Sequence, residues 1–213
     1  MPETIISASI LNSDLSDLRG TVKKAAASGA EWLHFDVMDG EFVENITFGS
    51  SVLASVRPHT GLFRDVHLMV AHPLRQIKLF AGAGADSITF HAESDCDPEA
   101  VINEIHSLGI RAGISVKPGT PVSAIAPYIA AADMVLIMTV EPGYGGQGFI
   151  HDTLEKISDV RRMYPDKYIE VDGGINADTA GLVKKAGANV LVAGTYLFRS
   201  DDMRTAVETL RKA

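Results

Sequence analysis

Four side chains in the sequence could together bind a metal ion and move a proton. They are His34, Asp36, His67 and Asp172. In the strand-like run Trp32 to Val37 the odd-numbered residues are apolar, so alternation turns His34 and Asp36 to the opposite face. The same alternation turns His67 and Asp172 away from the apolar face of their own runs. Two imidazoles and two carboxylates suit one divalent ion of the Zn²⁺, Mn²⁺, Fe²⁺ or Co²⁺ type.

The alternative interpretation of these four residues is structural. The histidines would then be hydrogen-bonded core residues, and the aspartates would be helix caps or turn residues. Each residue taken alone is compatible with that interpretation. Together they place four polar groups on the inner faces of three strands, where each buried charge needs a partner. The set therefore favours a shared ligand.

Three glycine-rich segments follow strand-like runs and could bind a phosphate group. They are Glu141 to Gln147, Asp172 to Asn176 and Ala193 to Thr195. These segments precede predicted helix starts, where free backbone N–H groups and the helix dipole attract anions. A single segment of this kind is more often only a tight turn. Three of them at neighbouring strand ends predict a phosphate site that needs no arginine.

These residues belong to a repeating pattern of eight strand-like runs, each followed by a run with helical spacing. The strand-like runs are Ile5 to Ile10, Trp32 to Val37, Asp65 to Val70, Ser87 to Phe90, Gly113 to Val116, Met134 to Met138, Tyr168 to Val171 and Val190 to Ala193. The helical runs are Leu15 to Ser28, Ser50 to Val56, Pro73 to Ala83, Pro98 to Leu108, Val122 to Ala131, Asp152 to Tyr164, Thr179 to Ala186 and Met203 to Leu210. This α/β alternation predicts a parallel sheet covered by helices. We expect a single-domain TIM (β/α)8 barrel over residues 1–213.

The junctions between helices and strands favour the closed barrel. Glycine recurs where three helical runs end, at Gly29, Gly84 and Gly187, as expected for the left-handed residue that closes a helix. An open doubly wound sheet is the alternative, but no G-x-G-x-x-G motif follows the first strand-like run. A barrel carries its active site at the carboxyl ends of the strands. The candidate ligands and the glycine-rich segments are therefore expected at one mouth.

The composition narrows the class of partner. The chain has 213 residues, of which 46% are hydrophobic and 22% charged, and its formal net charge is -8. This acidic balance argues against nucleic acid and against an anionic membrane as partners. Cys96 is the only cysteine, which excludes an intrachain disulfide and a cysteine-based zinc site. With no signal-peptide pattern and no run of about 18 apolar residues, we expect a cytoplasmic protein.

Several longer motifs are similar to those of a known enzyme family. They are Ser9 to Leu11, His34 to Gly40, Asn45 to Gly49, Asp65 to Met69, Met138 to Gln147 and Glu170 to Ile175. In this order they closely resemble the ribulose-phosphate 3-epimerase family, and the resemblance runs from about Ile5 to Phe198. It implies a TIM barrel that interconverts D-ribulose 5-phosphate and D-xylulose 5-phosphate, an isomerase of the pentose phosphate pathway.

The resemblance also implies roles for individual residues. The metal ligands would be His34, Asp36, His67 and Asp172, with Asp36 and Asp172 also the catalytic acid and base. The substrate contacts would be Ser9, His67, Gly143, Tyr144, Gly145, Gly146, Gly173, Gly174, Gly194 and Thr195, with Met38, Met69 and Met138 lining the site. The cofactor would be one divalent ion, with Zn²⁺ the first choice and Fe, Mn or Co the alternatives. A homo-oligomer is expected.

Inversion at C3 requires two groups on opposite faces of the substrate. One aspartate would remove the C3 proton, and the other would return a proton to the far face. A metal-stabilised cis-enediolate would lie between these steps. In the direction from ribulose to xylulose, the resemblance assigns Asp36 as acceptor and Asp172 as donor. The two residues exchange roles in the reverse direction.

The chain departs from the family pattern at a few positions. The segment Ser7-Ala8 stands where Ala-Pro is common, Tyr144 replaces Phe, Glu44 replaces Pro and Thr195 replaces Ser. None of these changes removes a catalytic group, but Glu44 and Thr195 leave the substrate open. The alternative is a 3-epimerase of a hexulose 6-phosphate such as D-allulose 6-phosphate.

Two other function classes are alternatives to epimerisation. Related barrel decarboxylases carry a D-x-K-x-x-D motif, and the segment Asp36 to Asp39 lacks that lysine. A Schiff-base lyase would have to use Lys117, at the end of the fifth strand, although a solvated or phosphate-attracting charge is the favoured interpretation. A silent sugar-phosphate binding barrel would not need the two aspartates and two histidines. His91, inward at the end of the fourth strand, is compatible with a core position and with one behind the ligands.

Overall fold

A computed structural model describes residues 3–213, and the strands of that part of the chain form one closed parallel barrel. The eight strands are β1 Ile5–Ser9, β2 Trp32–Met38, β3 Phe63–Met69, β4 Ser87–His91, β5 Arg111–Val116, β6 Met134–Met138, β7 Tyr168–Asp172 and β8 Val190–Ala193. Each strand pairs with the next in chain order, and β8 pairs with β1. The predicted (β/α)8 barrel is confirmed.

The helices alternate with the strands around the outside. Within residues 3–213 they are α1 Leu18–Ser28, α2 Ser50–Val56, α3 Ile77–Ala83, α4 Pro98–Ser107, α5 Ala126–Ile129, α6 Thr153–Met163, α7 Ala177–Ala186, α8 Thr195–Phe198 and α9 Met203–Lys212. Short 3₁₀ turns at 15–17, 73–75 and 122–124 occupy the starts of three predicted helices. The fifth helix is much shorter than predicted because Pro127 has no N–H to continue the ladder from Val122. The short α8 was not predicted.

The main hydrophobic core lies between the barrel and the helices. Outward side chains such as Phe35, Leu68 and Ile88 are fully buried against helix residues such as Phe80 and Ile105. Each buried side chain of this size stabilises the fold by about 1.5–3 kcal/mol. The alternation that buries these residues outward is also what directs the polar side chains of the same strands into the barrel.

The amino end of the barrel is closed by aromatic side chains. Trp32 stacks on Phe63 with ring centroids 4.4 Å apart, and Tyr168 lies 6.0 Å from Trp32. The Arg111 guanidinium carbon lies 5.0 Å from the centroid of the Phe63 ring, a cation–π geometry.

Strand register brings the candidate ligands together at the carboxyl end. Asp36 on β2 is the register partner of His67 on β3. Met138 on β6 is the partner of Asp172 on β7, and Ser9 on β1 that of a second histidine, His34. The predicted glycine caps also hold, since Gly29, Gly84 and Gly187 have φ values of 89°, 101° and 119°. Within residues 3–213, every helix is too short or too polar to cross a bilayer.

Candidate active site

The four predicted metal ligands meet inside the carboxyl end of the barrel. One ligand atom from each of His34, Asp36, His67 and Asp172 lies within 4.8 Å of the other three. Asp36 Oδ1 lies 3.4 Å from His34 Nε2 and 3.3 Å from His67 Nδ1. Asp172 Oδ2 lies 4.0 Å from His34 Nε2 and 3.7 Å from His67 Nδ1. The alternation of side chains along β2, β3 and β7 therefore places the four side chains in one cluster.

His34 is oriented from the side opposite this cluster. Its Nδ1 lies 2.6 Å from Asp65 Oδ2, and Ser87 Oγ donates to Asp65 Oδ1 at 2.5 Å. The other ring nitrogen, Nε2, is buried and has no hydrogen-bond partner among the described residues. A buried polar atom in this state costs free energy unless a further group binds it. A divalent cation between the imidazoles and carboxylates would bind it, so the residues fit a metal ion.

His67 contacts the cluster with one nitrogen and a second histidine with the other. Its Nε2 lies 2.9 Å from Nε2 of His91, and Nδ1 of His91 lies 3.2 Å from Glu93 Oε2. His91 is fully buried. Burial lowers the pKa of His91 to about 4, although its hydrogen bond to Glu93 acts in the opposite direction. The residue left ambiguous by the sequence thus lies directly behind a candidate ligand.

The charges in the cluster shift the pKa values of His34 and Asp36 in opposite directions. Burial alone would lower the pKa of His34, but the carboxylates of Asp36 and Asp65 hold it well above its ordinary value of 6.5. Burial alone would raise the pKa of Asp36, but His34 and His67 hold it below its ordinary value of 3.8. Asp36 is therefore ionised, and Ser9 Oγ donates a hydrogen bond to its Oδ2 at 2.7 Å.

The pKa of Asp172 is shifted upward, in the direction opposite to that of Asp36. Burial, followed by the charge of Asp36, raises the pKa of Asp172 from 3.8 to about 6. Its side chain is 17% exposed, compared with 4% for Asp36. Two carboxyl groups whose environments separate their pKa values are typical of an acid and base pair.

Two further acids, Asp65 and Glu170, lie buried beneath His34. Glu170 Oε1 is 3.6 Å from His34 Nδ1, and both oxygens of its side chain are buried. Burial and the charge of Asp65 raise the pKa of Glu170 well above 4.5. Burial acts to raise the pKa of Asp65 too, but His34 holds it below 3.8. Asp65 therefore carries the negative charge that faces His34, and Glu170 remains protonated.

Nearly all residues predicted to touch substrate line a cavity at the mouth of the barrel. Its wall includes Ser9, Asp36, Met38, Met69, Met138, Gly143, Tyr144, Gly145, Gly146, Asp172, Gly173, Gly174, Gly194 and Thr195. His67 is fully buried and reaches the cluster through its Nδ1. Tyr144 is 67% exposed, which places it at the rim. Asn12, which the sequence did not single out, joins the wall and donates to Thr195 Oγ1 at 2.8 Å.

The glycine loops approach one another too closely for side chains. At Gly174, with φ +66°, an added Cβ would lie 2.9 Å from the backbone nitrogen of Phe149. At Gly173, with φ +119°, it would lie 2.4 Å from Val140 Cγ2. The glycines therefore keep backbone groups at the cavity wall, where a phosphate group could approach them.

Lys117, the lysine considered for a Schiff base, lies beside the cavity rather than in its wall. Its Nζ lies 3.9 Å from the centroid of the Phe42 ring, and its backbone N–H donates to Glu93 Oε1 at 2.8 Å. This position supports a structural role and disfavours covalent chemistry.

Sequence reasoning assigned no role to Asp65, Glu93 or Glu170. Strand alternation directs Asp65 and Glu170 inward, since each stands two residues before a candidate ligand on its own strand, but it does not indicate what they do. Glu93 could not have been found in this way because it follows the end of β4, where alternation no longer applies.

Comparison with known proteins agrees with this geometry. A sequence model described as the ribulose-phosphate 3 epimerase family matches residues 5–198. Ribulose-phosphate 3-epimerase of Bacillus subtilis (strain 168) is 45% identical over 211 residues, covering 97% of each chain. The cytoplasmic isoform of that enzyme from Oryza sativa subsp. japonica is 42% identical over 212 residues, covering 98% of this chain and 93% of the relative.

A solved structure shows the same fold at low sequence identity. The crystal structure of KGPDC from Streptococcus mutans aligns with a TM-score of 0.73 and 15% identity, covering 99% of this chain and 96% of that one. At this identity the similarity shows a shared fold only. The family match and the relatives of more than 40% identity show that the chain belongs to the ribulose-phosphate 3-epimerase family and is an enzyme.

Proposed function

We propose that this enzyme inverts C3 of a ketose phosphate, with D-ribulose 5-phosphate and D-xylulose 5-phosphate as its substrate and product. The observation that carries the proposal is the pair Asp36 and Asp172, which line one cavity with opposite pKa shifts. Inversion beside a ketone needs one group to accept a proton and another to donate one. Relatives named ribulose-phosphate 3-epimerase support this choice of substrate.

The metal site of this proposal consists of His34 Nε2, His67 Nδ1 and one carboxylate oxygen each from Asp36 and Asp172. A divalent cation bound there would supply positive charge that polarises the substrate ketone and makes its neighbouring C3 proton more acidic. Zn²⁺ is the first choice, because nitrogen and carboxylate oxygen are both among its usual ligands.

Proton transfer is assigned to the two aspartates. Asp36 is oriented by the hydrogen bond from Ser9 Oγ to its Oδ2, and it is assigned to accept the C3 proton of the ribulose epimer, as the family resemblance implies. Asp172 lines the same cavity and returns a proton to the other face of the enediolate carbon. The reverse reaction exchanges these roles. Met38, Met69 and Met138 line the same cavity and present an aprotic surface that protects the intermediate from stray protons.

The glycine loops are proposed to bind the phosphate group. The segments Gly143–Gly146, Gly173–Gly174 and Gly194–Thr195 line the end of the cavity formed by β6, β7 and β8. Backbone N–H groups bind phosphate without a basic side chain. Of the two positions that leave the substrate open, Thr195 lines this cavity and Glu44 does not. The choice between substrates is tested by comparing kcat/KM for D-ribulose 5-phosphate and D-allulose 6-phosphate. A higher value for the hexulose would overturn the substrate assignment.

Removal of metal is expected to abolish the activity. The protein should epimerise D-ribulose 5-phosphate as isolated, lose more than about 99% of that rate after chelation and dialysis, and regain it with Zn²⁺, Mn²⁺, Fe²⁺ or Co²⁺, since polarisation of the ketone is worth several kcal/mol. A coupled assay for xylulose 5-phosphate measures the rate, and elemental analysis measures the metal. Full activity in a protein shown to contain no metal would contradict the proposed site.

Gly174→Ala is expected to raise KM by about ten- to a hundredfold, because the added Cβ must displace the Phe149 backbone and thus the phosphate loop. The matched control is Gly109→Ala. Gly109 also has a positive φ, +74°, but an added Cβ meets no atom of the described residues within 4 Å. Both variants carry the strain of a left-handed alanine, so equal KM values in the two would contradict the phosphate assignment.

A further inference from the structure

A row of three side chains, His67, His91 and Glu93, leads from the four candidate metal ligands to the loop after β4. The proposed proton transfer does not use His91 or Glu93. His67 Nε2 lies 2.9 Å from His91 Nε2, and His91 Nδ1 lies 3.2 Å from Glu93 Oε2. Both histidines are fully buried. The Phe42 ring packs against His91 with centroids 4.9 Å apart. Water therefore cannot take the place of His91 as hydrogen-bond partner of His67, or of His67 as partner of His91.

The contact between the two Nε2 atoms constrains where the protons lie. Two ring nitrogens at hydrogen-bond distance attract each other only when one of them carries hydrogen. If His67 donates, its Nδ1 keeps a lone pair for a metal ion bound between this nitrogen and the carboxylates of Asp36 and Asp172. If His91 donates, the proton of a neutral His67 must move to Nδ1, where a metal ion could no longer bind.

Glu93 favours the first arrangement. A carboxylate only accepts hydrogen bonds, so Oε2 requires a proton on His91 Nδ1. A neutral His91 protonated at Nδ1 must accept at Nε2, and His67 must then donate. The carboxylate itself is fixed, because its Oε1 accepts the backbone N–H of Lys117 at 2.8 Å.

We propose that His91 and Glu93 are positioning residues that hold His67 in the tautomer whose Nδ1 can bind the metal ion. This inference rests on the metal site of the proposed function. Glu93 acts through His91, and neither residue is part of the substrate cavity wall. Partners of this kind behind a ligand imidazole typically change metal affinity or activity by 10–100-fold.

Glu93→Gln tests the proposal with almost no change of shape. The Lys117 N–H still requires an oxygen at the Oε1 position, so the new amide NH₂ must face His91 Nδ1. That NH₂ donates instead of accepting, so His91 must accept at Nδ1 and carry its proton on Nε2. The proton of a neutral His67 must then lie on Nδ1. We expect the dissociation constant for Zn²⁺ to rise by about 10–100-fold, with kcat recovering at saturating Zn²⁺. Binding of Zn²⁺ is measured by competition with a chromophoric chelator.

Asp133→Asn is the matched control. Asp133 Oδ2 also accepts from an imidazole, His106 Nε2 at 2.8 Å, and from a backbone N–H, that of Ala112 at 2.9 Å. It precedes β6 at the amino end of the barrel, away from the cluster. This variant should bind Zn²⁺ as the wild type does. A Zn²⁺ affinity of Glu93→Gln within about threefold of the control would overturn the proposal.

A second measurement does not depend on the variant folding. Long-range ¹H–¹⁵N NMR spectra of the zinc-loaded wild type should show the ring proton of His67 on Nε2 and that of His91 on Nδ1. A His91 proton on Nε2 would overturn the proposal even if the enzyme epimerises its substrate normally. Loss of the proposed function would show itself separately, as wild-type protein that binds Zn²⁺ but leaves D-ribulose 5-phosphate unchanged.

Discussion

Asp172→Asn is expected to lower the rate of epimerisation by about 10²–10⁴-fold, the usual contribution of a general acid or base. It should nevertheless continue to exchange the C3 proton of D-ribulose 5-phosphate with solvent. Asp36 is unchanged in this variant and can still remove that proton, but with no donor on the far face the proton returns to the face it left. In D₂O the substrate should therefore gain deuterium at C3 without becoming D-xylulose 5-phosphate.

Asp36→Asn should show the mirror-image behaviour. The remaining Asp172 faces the other side of C3, so this variant should exchange the proton of D-xylulose 5-phosphate and not that of D-ribulose 5-phosphate. Proton NMR of each epimer in D₂O separates exchange from inversion. Asp95→Asn serves as control, since its side chain is 85% exposed and lies outside the cavity wall.

The metal content of both variants must be measured, because the two aspartates also belong to the proposed metal site. Assays in excess Zn²⁺ separate loss of the cation from loss of the proton carrier. Near-normal turnover in either loaded variant would contradict the two-base mechanism. Exchange of the same epimer by both variants would contradict the assignment of one aspartate to each face.

The barrel and the four candidate ligands were predictable because both follow from periodicity. Alternation in β2 buries Phe35 outward and leaves Asp36 inward, and the register then pairs Asp36 with His67. The same rule acts on every strand. A closed parallel barrel also sends all carboxyl strand ends to one mouth, so glycine loops far apart in the chain meet in one cavity.

The hydrogen-bond partners of the ligands were not predictable in the same way. Whether His91 packs as a core residue or contacts His67 depends on a ring rotation that strand parity leaves open. Glu93 lies in a loop, and its orientation depends on a backbone N–H of Lys117 from the next strand end. The short α5 shows a related limit, since helical spacing continued past the point where Pro127 interrupts the ladder.

Asp65→Ala is expected to lower the free energy of unfolding of the metal-free protein by about 3–5 kcal/mol, the usual cost of breaking a buried ion pair. The protonated His34 would lose the carboxylate 2.6 Å from its Nδ1, and Ser87 Oγ would lose its acceptor. Urea unfolding of the chelated protein measures the change. Glu170→Gln, at the neighbouring acid, is the control.

The pH dependence of these two variants separates ion pairing from simple loss of volume. The pKa of His34 is raised, so its contribution to stability is complete below 6.5 and is lost as the pH rises through its folded pKa. The pKa of Asp65 is lowered, so its contribution is complete above 3.8 and is lost as the pH falls through its folded pKa. The cost of Asp65→Ala should therefore be largest between pH 3.8 and 6.5 and should shrink at higher pH. Glu170→Gln should instead raise the free energy of unfolding above pH 4.5, because the folded wild type must keep Glu170 protonated there, whereas an amide has no such proton to keep. A pH-independent loss in Asp65→Ala would mean that the cavity, and not the charge facing His34, sets its cost.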